Sequence, residues 1–143
     1  MSTSMSTSRP TSMPTLLSLR SWGSLLRGLE SITALIEMAA KQGWHCAAVA
    51  EYADLGTIVE AANTGARTGM KIIGAAEIDD GRGSSIVAIA GDKAGLEQLH
   101  QLVSLRRLSG TEESAGCRPD SRNDFDLIEA LSSGYRSLWI LVR

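Results

Sequence analysis

Few side chains in this sequence combine the type and spacing that chemistry requires. Glu51 and Glu77 each stand at or near the end of an apolar run, and two carboxylates can act as general acid and base. That work needs a nucleophile, a histidine partner or a metal nearby, and the surrounding sequence supplies none. His45, His100, Cys46 and Cys117 are the only histidines and cysteines, so a zinc site would draw on nearly all four from scattered places. Cys46 lies inside an apolar run and reads as an inert core thiol, while Cys117 sits in a polar stretch with no activating base. Gly81-Arg82-Gly83 lacks the lysine of a phosphate loop and reads as a plain turn. Trp22, Trp44 and Trp139 have no basic flanks, which favours packing in the core or at an interface over stacking on bases. Arg106-Arg107 is placed to complement a helix dipole.

The elements that must position these groups follow from periodicity. Residues 1–14 are rich in Ser and Thr, repeat Met-Ser-Thr-Ser and carry Pro10 and Pro14, the composition of a disordered tail. Residues 15–143 are expected to form one α/β domain. Leu16–Leu19 reads as a short strand. Ser31 caps a helix with Ile32, Leu35, Ile36 and Ala39 on one face, ended by Gly43. Cys46–Ala50 is a strand buried on both faces. Asp54 is expected to cap a second helix, with Ile58, Val59, Ala62 and Ala66 inward and Gly69 as its stop. Lys71–Ala76 and Ser85–Ala90 are strands joined by a short turn, a candidate hairpin. Asp92 caps the clearest helix, whose buried side carries Leu96, Leu99, Leu102 and Val103 and runs on to Leu108. After a polar loop at 109–123, Asp124 opens a last helix, and Leu138–Val142 is a final strand. Strands alternating with helices predict a mostly parallel sheet.

The chain has 143 residues, 43% hydrophobic and 21% charged, enough to bury one core. Fourteen Lys and Arg against 16 Asp and Glu leave a formal charge of -2, which gives no strong signal for direct nucleic-acid binding. Two cysteines outside any CxxC pair point to a reducing, cytoplasmic protein. No apolar run approaches the roughly 18 residues needed to span a membrane, and the segment ending at Arg20 is too short for a signal peptide.

Four stretches then resemble a known family. Arg20–Ile32 (R-S-W-G-S-L-L-R-G-L-E-S-I) is similar to the opening of the polymerase-and-histidinol-phosphatase (PHP) domain that begins bacterial DNA polymerase III alpha subunits and error-prone polymerases. There a histidine-rich H-L-H-x-H precedes S-x-Y-S-L-L-D-G-L-x-S-I. Residues 34–44 follow the helix that comes next, residues 69–77 (G-M-K-I-I-G-A-A-E) resemble G-I-K-P-I-I-G-C-E, and residues 86–108 resemble the following strand and helix, including Leu102-Val103-Ser104-Leu105. The resemblance implies a distorted α/β barrel, here partial, whose strand ends hold divalent metals for phosphoester hydrolysis.

The ligands that the resemblance asks for are mostly replaced. Leu16, Ser18 and Arg20 stand at the histidine positions, Glu51-Tyr52 at an Asp-His pair, and only Glu77 matches in kind. The other ligands belong to a later half of the family domain, which is followed by the polymerase core. A vestigial site of Ser18, Arg20, Glu51, Tyr52 and Glu77, with no metal or other cofactor, is therefore expected. Arg20, Glu51 and Glu77 should meet at the C-terminal ends of the first three strands, with Arg20 paired to Glu77 or Glu51 in place of the metal charge. The expected function is a non-catalytic scaffold linked to DNA replication or repair. The alternative is a weak metal-dependent phosphoesterase using Glu51 and Glu77. Half a barrel leaves open edges, so either the sheet becomes an open three-layer domain or another chain covers it. Polymerase or replisome subunits, or a second copy docking through Leu138, Trp139, Ile140, Leu141 and Val142, are the expected partners.

Overall fold

A computed structural model of the chain describes residues 16–24, 27–80, 84–109, 126–132 and 134–142. The expected tail at 1–14, the Gly81–Gly83 turn, Cys117 and the opening of the last helix at Asp124 lie outside them. Five strands, β1 (Leu17–Leu19), β2 (Cys46–Tyr52), β3 (Lys71–Asp79), β4 (Ser85–Ala90) and β5 (Leu138–Val142), form one sheet in chain order. Helices α1 (Ile32–Lys41), α2 (Ile58–Thr68), α3 (Lys93–Ser109) and α4 (Leu127–Ser132) complete the α/β architecture. The first two strand pairs are parallel. The hairpin expected between β3 and β4 is present, and it reverses the chain so that β4 and β5 pair antiparallel. The sheet is thus mixed, half parallel and half antiparallel.

Helix starts follow local chemistry. The Ser31 side chain accepts the Ala34 N–H, and Asp92 accepts the Gly95 N–H at 2.7 Å, both as expected of N-caps. The cap expected at Asp54 is not made. Its carboxylate is spent on the N–H groups of Leu55 and Gly56 in the turn before α2, and Thr57 takes the cap position without a side-chain hydrogen bond to the helix. Gly69 ends α2 with φ +73, a conformation that only glycine adopts cheaply.

All helices pack on one face of the sheet. Ile32, Ile36 and Ala39 of α1 join Ala61 of α2 over Leu19, Ala47 and Val49, while Leu99, Leu102 and Val103 of α3 cover Ala76, Ile78, Ile86 and Ala88. A methyl at Gly74 would meet both Leu96 of α3 and Ile58 of α2, so both helices reach the same side of β3. The other face gathers Ala48, Ala50, Ala75, Val87 and Ile89, to which no described helix contributes. The three-layer arrangement is therefore not formed among the described residues. Helices on one side only is the arrangement of a barrel wall.

Three packing expectations are corrected. Helix α2 turns Ala61, Thr64 and Gly65 inward and leaves Val59, Ala62 and Ala66 exposed. The backbone comes so close at Gly65 that a Cβ would stand 2.6 Å from the Met70 carbonyl oxygen, and only a small-residue face fits there. Leu108 is exposed past the end of the α3 contact. Trp44 packs against the α1 core, but Trp22 and Trp139 are 64% and 72% exposed, which removes the core half of the core-or-interface expectation for those two. Cys46 is half-buried.

The contact of α3 with the loop before β5 sets a tight limit. A methyl at Gly95 would lie 2.2 Å from the Ser137 carbonyl oxygen, which already accepts the Gly91 N–H. Gly95→Ala is expected to destabilise the fold by about 2 kcal/mol, read from denaturant melts, because backbone must move to admit it.

Candidate functional site

Two polar clusters form where β1, β2 and β3 end, and strand alternation keeps them apart. Tyr52 lies opposite Glu77 in the parallel ladder, so these two side chains share a sheet face. Glu51 lies opposite Ala76 and takes the other. The expected meeting of Arg20, Glu51 and Glu77 is thus only partly realised. Arg20 and Glu77 come together, and Glu51 does not join them.

Glu51, on the helix side, is 1% exposed and acts as a loop anchor. Its Oε1 accepts the Ser21 N–H at 3.1 Å, the Ser21 hydroxyl and the Thr57 hydroxyl at 3.2 Å, while Oε2 accepts the Ser24 hydroxyl. Ser24 Oγ in turn accepts the Tyr52 N–H at 2.8 Å. A buried carboxylate needs this many donors, since each lost bond to such a charge leaves a costly unsatisfied group. The result is a β1–α1 loop pinned to the end of β2. That loop is closed further by the Trp22 N–H donating to the Glu30 carbonyl at 2.9 Å.

The other face holds the ionic cluster. Arg20, just past β1, is ion-paired through Nη2 to Glu77 Oε2. Arg27, which nothing in the sequence singled out, reaches the second oxygen, with Nη1 3.2 Å from Glu77 Oε1. Its guanidinium also stacks on the Tyr52 ring at 3.7 Å from the centroid, a cation–π contact. The Tyr52 hydroxyl donates to Asp79 Oδ2, and Arg106 of α3 holds Asp79 through Oδ1 at 3.0 Å and through the main-chain carbonyl at 2.8 Å. Arg106 therefore ties α3 to the end of β3, which goes beyond the helix-dipole role read from sequence. Burial, first, and then the hydrogen bond and charge of Asp79 hold the Tyr52 phenol above its ordinary value, against the opposing pull of Arg106 and Arg27.

The remaining sequence candidates stay outside. Ser18 is exposed on β1 opposite Ala48. His45 and His100 are exposed, the first before β2 and the second on α3. Among the described residues no group of three or more His, Cys, Asp or Glu side chains is placed to hold a metal ion. Glu51 and Glu77 have separate partner sets on opposite faces, so one water or ion cannot be shared between them as an acid–base pair requires. No helix among the described residues is long and apolar enough to cross a membrane.

Two outcomes follow from this geometry. Glu51→Ala should cost about 3 kcal/mol in a denaturant melt, because the Ser21 N–H and three hydroxyls lose their acceptor, and Glu51→Gln should cost less. Because the folded phenol of Tyr52 holds its proton more tightly than a free tyrosine, its stabilising share is complete below pH of about 10 and is lost as pH rises through the higher folded value. Phenolate absorbance in an alkaline titration of the folded chain should show one late-ionising tyrosine, absent in Tyr52→Phe.

Comparison with known proteins gives a family model described as the PHP domain, which matches residues 17–141. The chain is 29% identical over 118 residues to the error-prone DNA polymerase of Pseudomonas syringae pv. syringae (strain B728a), covering 82% of this chain and 11% of that protein. Two solved structures are similar. One is a provisional metal-dependent phosphoesterase from Bifidobacterium adolescentis ATCC 15703, at TM-score 0.48 and 20% identity, with 66% of this chain and 35% of that one covered. The other is an amidohydrolase from Chromobacterium violaceum with bound sulfate and no metal, at TM-score 0.48 and 25% identity, with 71% and 39% covered.

Proposed function

The chain belongs to the PHP domain family, and on that premise we propose that it works as a non-catalytic PHP domain, an interaction module linked to DNA replication or repair. The observation that carries this reading is the occupation of Glu77. Both oxygens of the one carboxylate that matches the family in kind are engaged by guanidinium groups, Arg20 on one and Arg27 on the other. Two guanidinium charges on one carboxylate stabilise its ionised form and so weaken it as a proton acceptor, which is the opposite of what a general base needs. Glu51 cannot compensate, since its oxygens are consumed by Ser21, Ser24 and Thr57 on the far side of the sheet. The alternative phosphoesterase built on Glu51 and Glu77 thus lacks its pair. The link to replication or repair is supported by the similarity to an error-prone polymerase, of whose length this chain spans about a tenth.

The test is hydrolysis of bis-p-nitrophenyl phosphate with manganese or zinc in the buffer. The expected rate equals that of buffer alone. Turnover that disappears in Glu77→Gln would sink the non-catalytic reading and install the phosphoesterase in its place.

A further inference from the structure

The divalent metal on which the PHP family depends does not fit the residues at these strand ends. A cation there would have to share Glu77 with Arg20 and Arg27, and it would stand beside two permanent positive charges that repel it. The neighbouring position is no better suited. The Tyr52 hydroxyl donates a hydrogen bond to Asp79, and Asp79 is also bound by Arg106. Among the described residues, the polar groups that this cluster offers an ion are therefore a protonated phenol and carboxylates already paired.

From this misfit we infer that Arg20 and Arg27 carry out the structural part of a metal's work. They neutralise Glu77 and tie the end of β1 and the β1–α1 loop to β3, making the domain metal-independent. The geometry is suited to that task. A metal joins strand ends by attracting several anions to one point. Here one anion, Glu77, is placed centrally and two cations reach it from separate backbone positions, Arg20 next to β1 and Arg27 within the loop. Glu77 is 5% exposed, so its charge is little screened by water, and loss of either cation leaves it underpaired. Arg27 is the more exposed of the two, and its stack on Tyr52 fixes the direction of approach. The inference rests on the non-catalytic reading for its biological sense, but it concerns stability and metal binding, which are measured apart from turnover.

The experiment uses the full chain with Mn2+ as the probe. Thermal melts and titration calorimetry of the wild type should show neither a Tm shift nor saturable heat with Mn2+, and EDTA should change nothing. Arg20→Ala and Glu77→Gln should each lower Tm by about 5 °C, and the double variant should melt no lower than the worse single one, because both remove the same interaction. Should Arg20→Ala fail to fold, Arg27→Ala with Glu77→Gln makes the same cycle at a more exposed side chain. Saturable Mn2+ binding that raises Tm in the wild type, or fully additive losses in the cycle, would overturn the inference. Phosphodiester turnover in a chain that binds no manganese would instead remove the non-catalytic reading and leave this one standing.

Discussion

A carboxylate buried in a sheet needs either a set of hydrogen-bond donors, as at Glu51, or a counter-charge, and much of this domain's polar structure answers the second demand at Glu77. Glu77 sits late in β3, on the face away from the helices, between the ends of two neighbouring strands. Arg20 can reach it because β1, β2 and β3 run parallel and β1 stops level with Gly74, so that a long side chain just past its end extends forward to Glu77. Arg27 can reach it only if the β1–α1 loop folds back over the strand ends. That fold-back is secured on the opposite face, where Ser21 and Ser24 bind Glu51. The two carboxylates are therefore linked in series: one holds the loop, and the loop delivers a cation to the other.

The division of labour follows from a single step of strand alternation. Glu51 and Tyr52 are adjacent in sequence, so one must face the helices and the other must face away. Register then places Tyr52, and not Glu51, beside Glu77. A phenol in that position can donate to Asp79 and support the Arg27 guanidinium, and it does both. Guanidinium, carboxylate and phenol satisfy each other at the end of the sheet where related folds place their chemistry. Such a site contributes to the cohesion of the domain.

The parts of the fold that could be read from sequence are those with large apolar residues at a fixed period. Helices α1 and α3 are of this kind, with Ser31 and Asp92 at their starts. Helix α2 was legible as a helix, but its inner face was not. Ala61, Thr64 and Gly65 face inward and Ala62 and Ala66 outward, and small residues on both sides leave periodicity nothing to distinguish. The even split of parallel and antiparallel pairs depended on where the chain returns after α3, which no local signal encodes. In the site, a pairing of Arg20 with Glu77 or Glu51 was legible from charge and strand-end position, but the choice between them was not. Arg27 was not, because its place depends on loop hydrogen bonds to a residue on the opposite face of the sheet. The separation of Glu51 from Glu77 was half legible: alternation along β2 can be read directly, but the register between β2 and β3 cannot.

Arginines are proposed to neutralise Glu77 in place of the divalent metal on which the PHP family depends. Crystals grown in millimolar manganese chloride, with anomalous diffraction recorded at the manganese absorption edge, test it most directly. The expected result is no anomalous peak at Glu77 or Asp79, with Arg20 and Arg27 still on the two oxygens of Glu77. A manganese peak bonded to Glu77, with either arginine turned away, would contradict it.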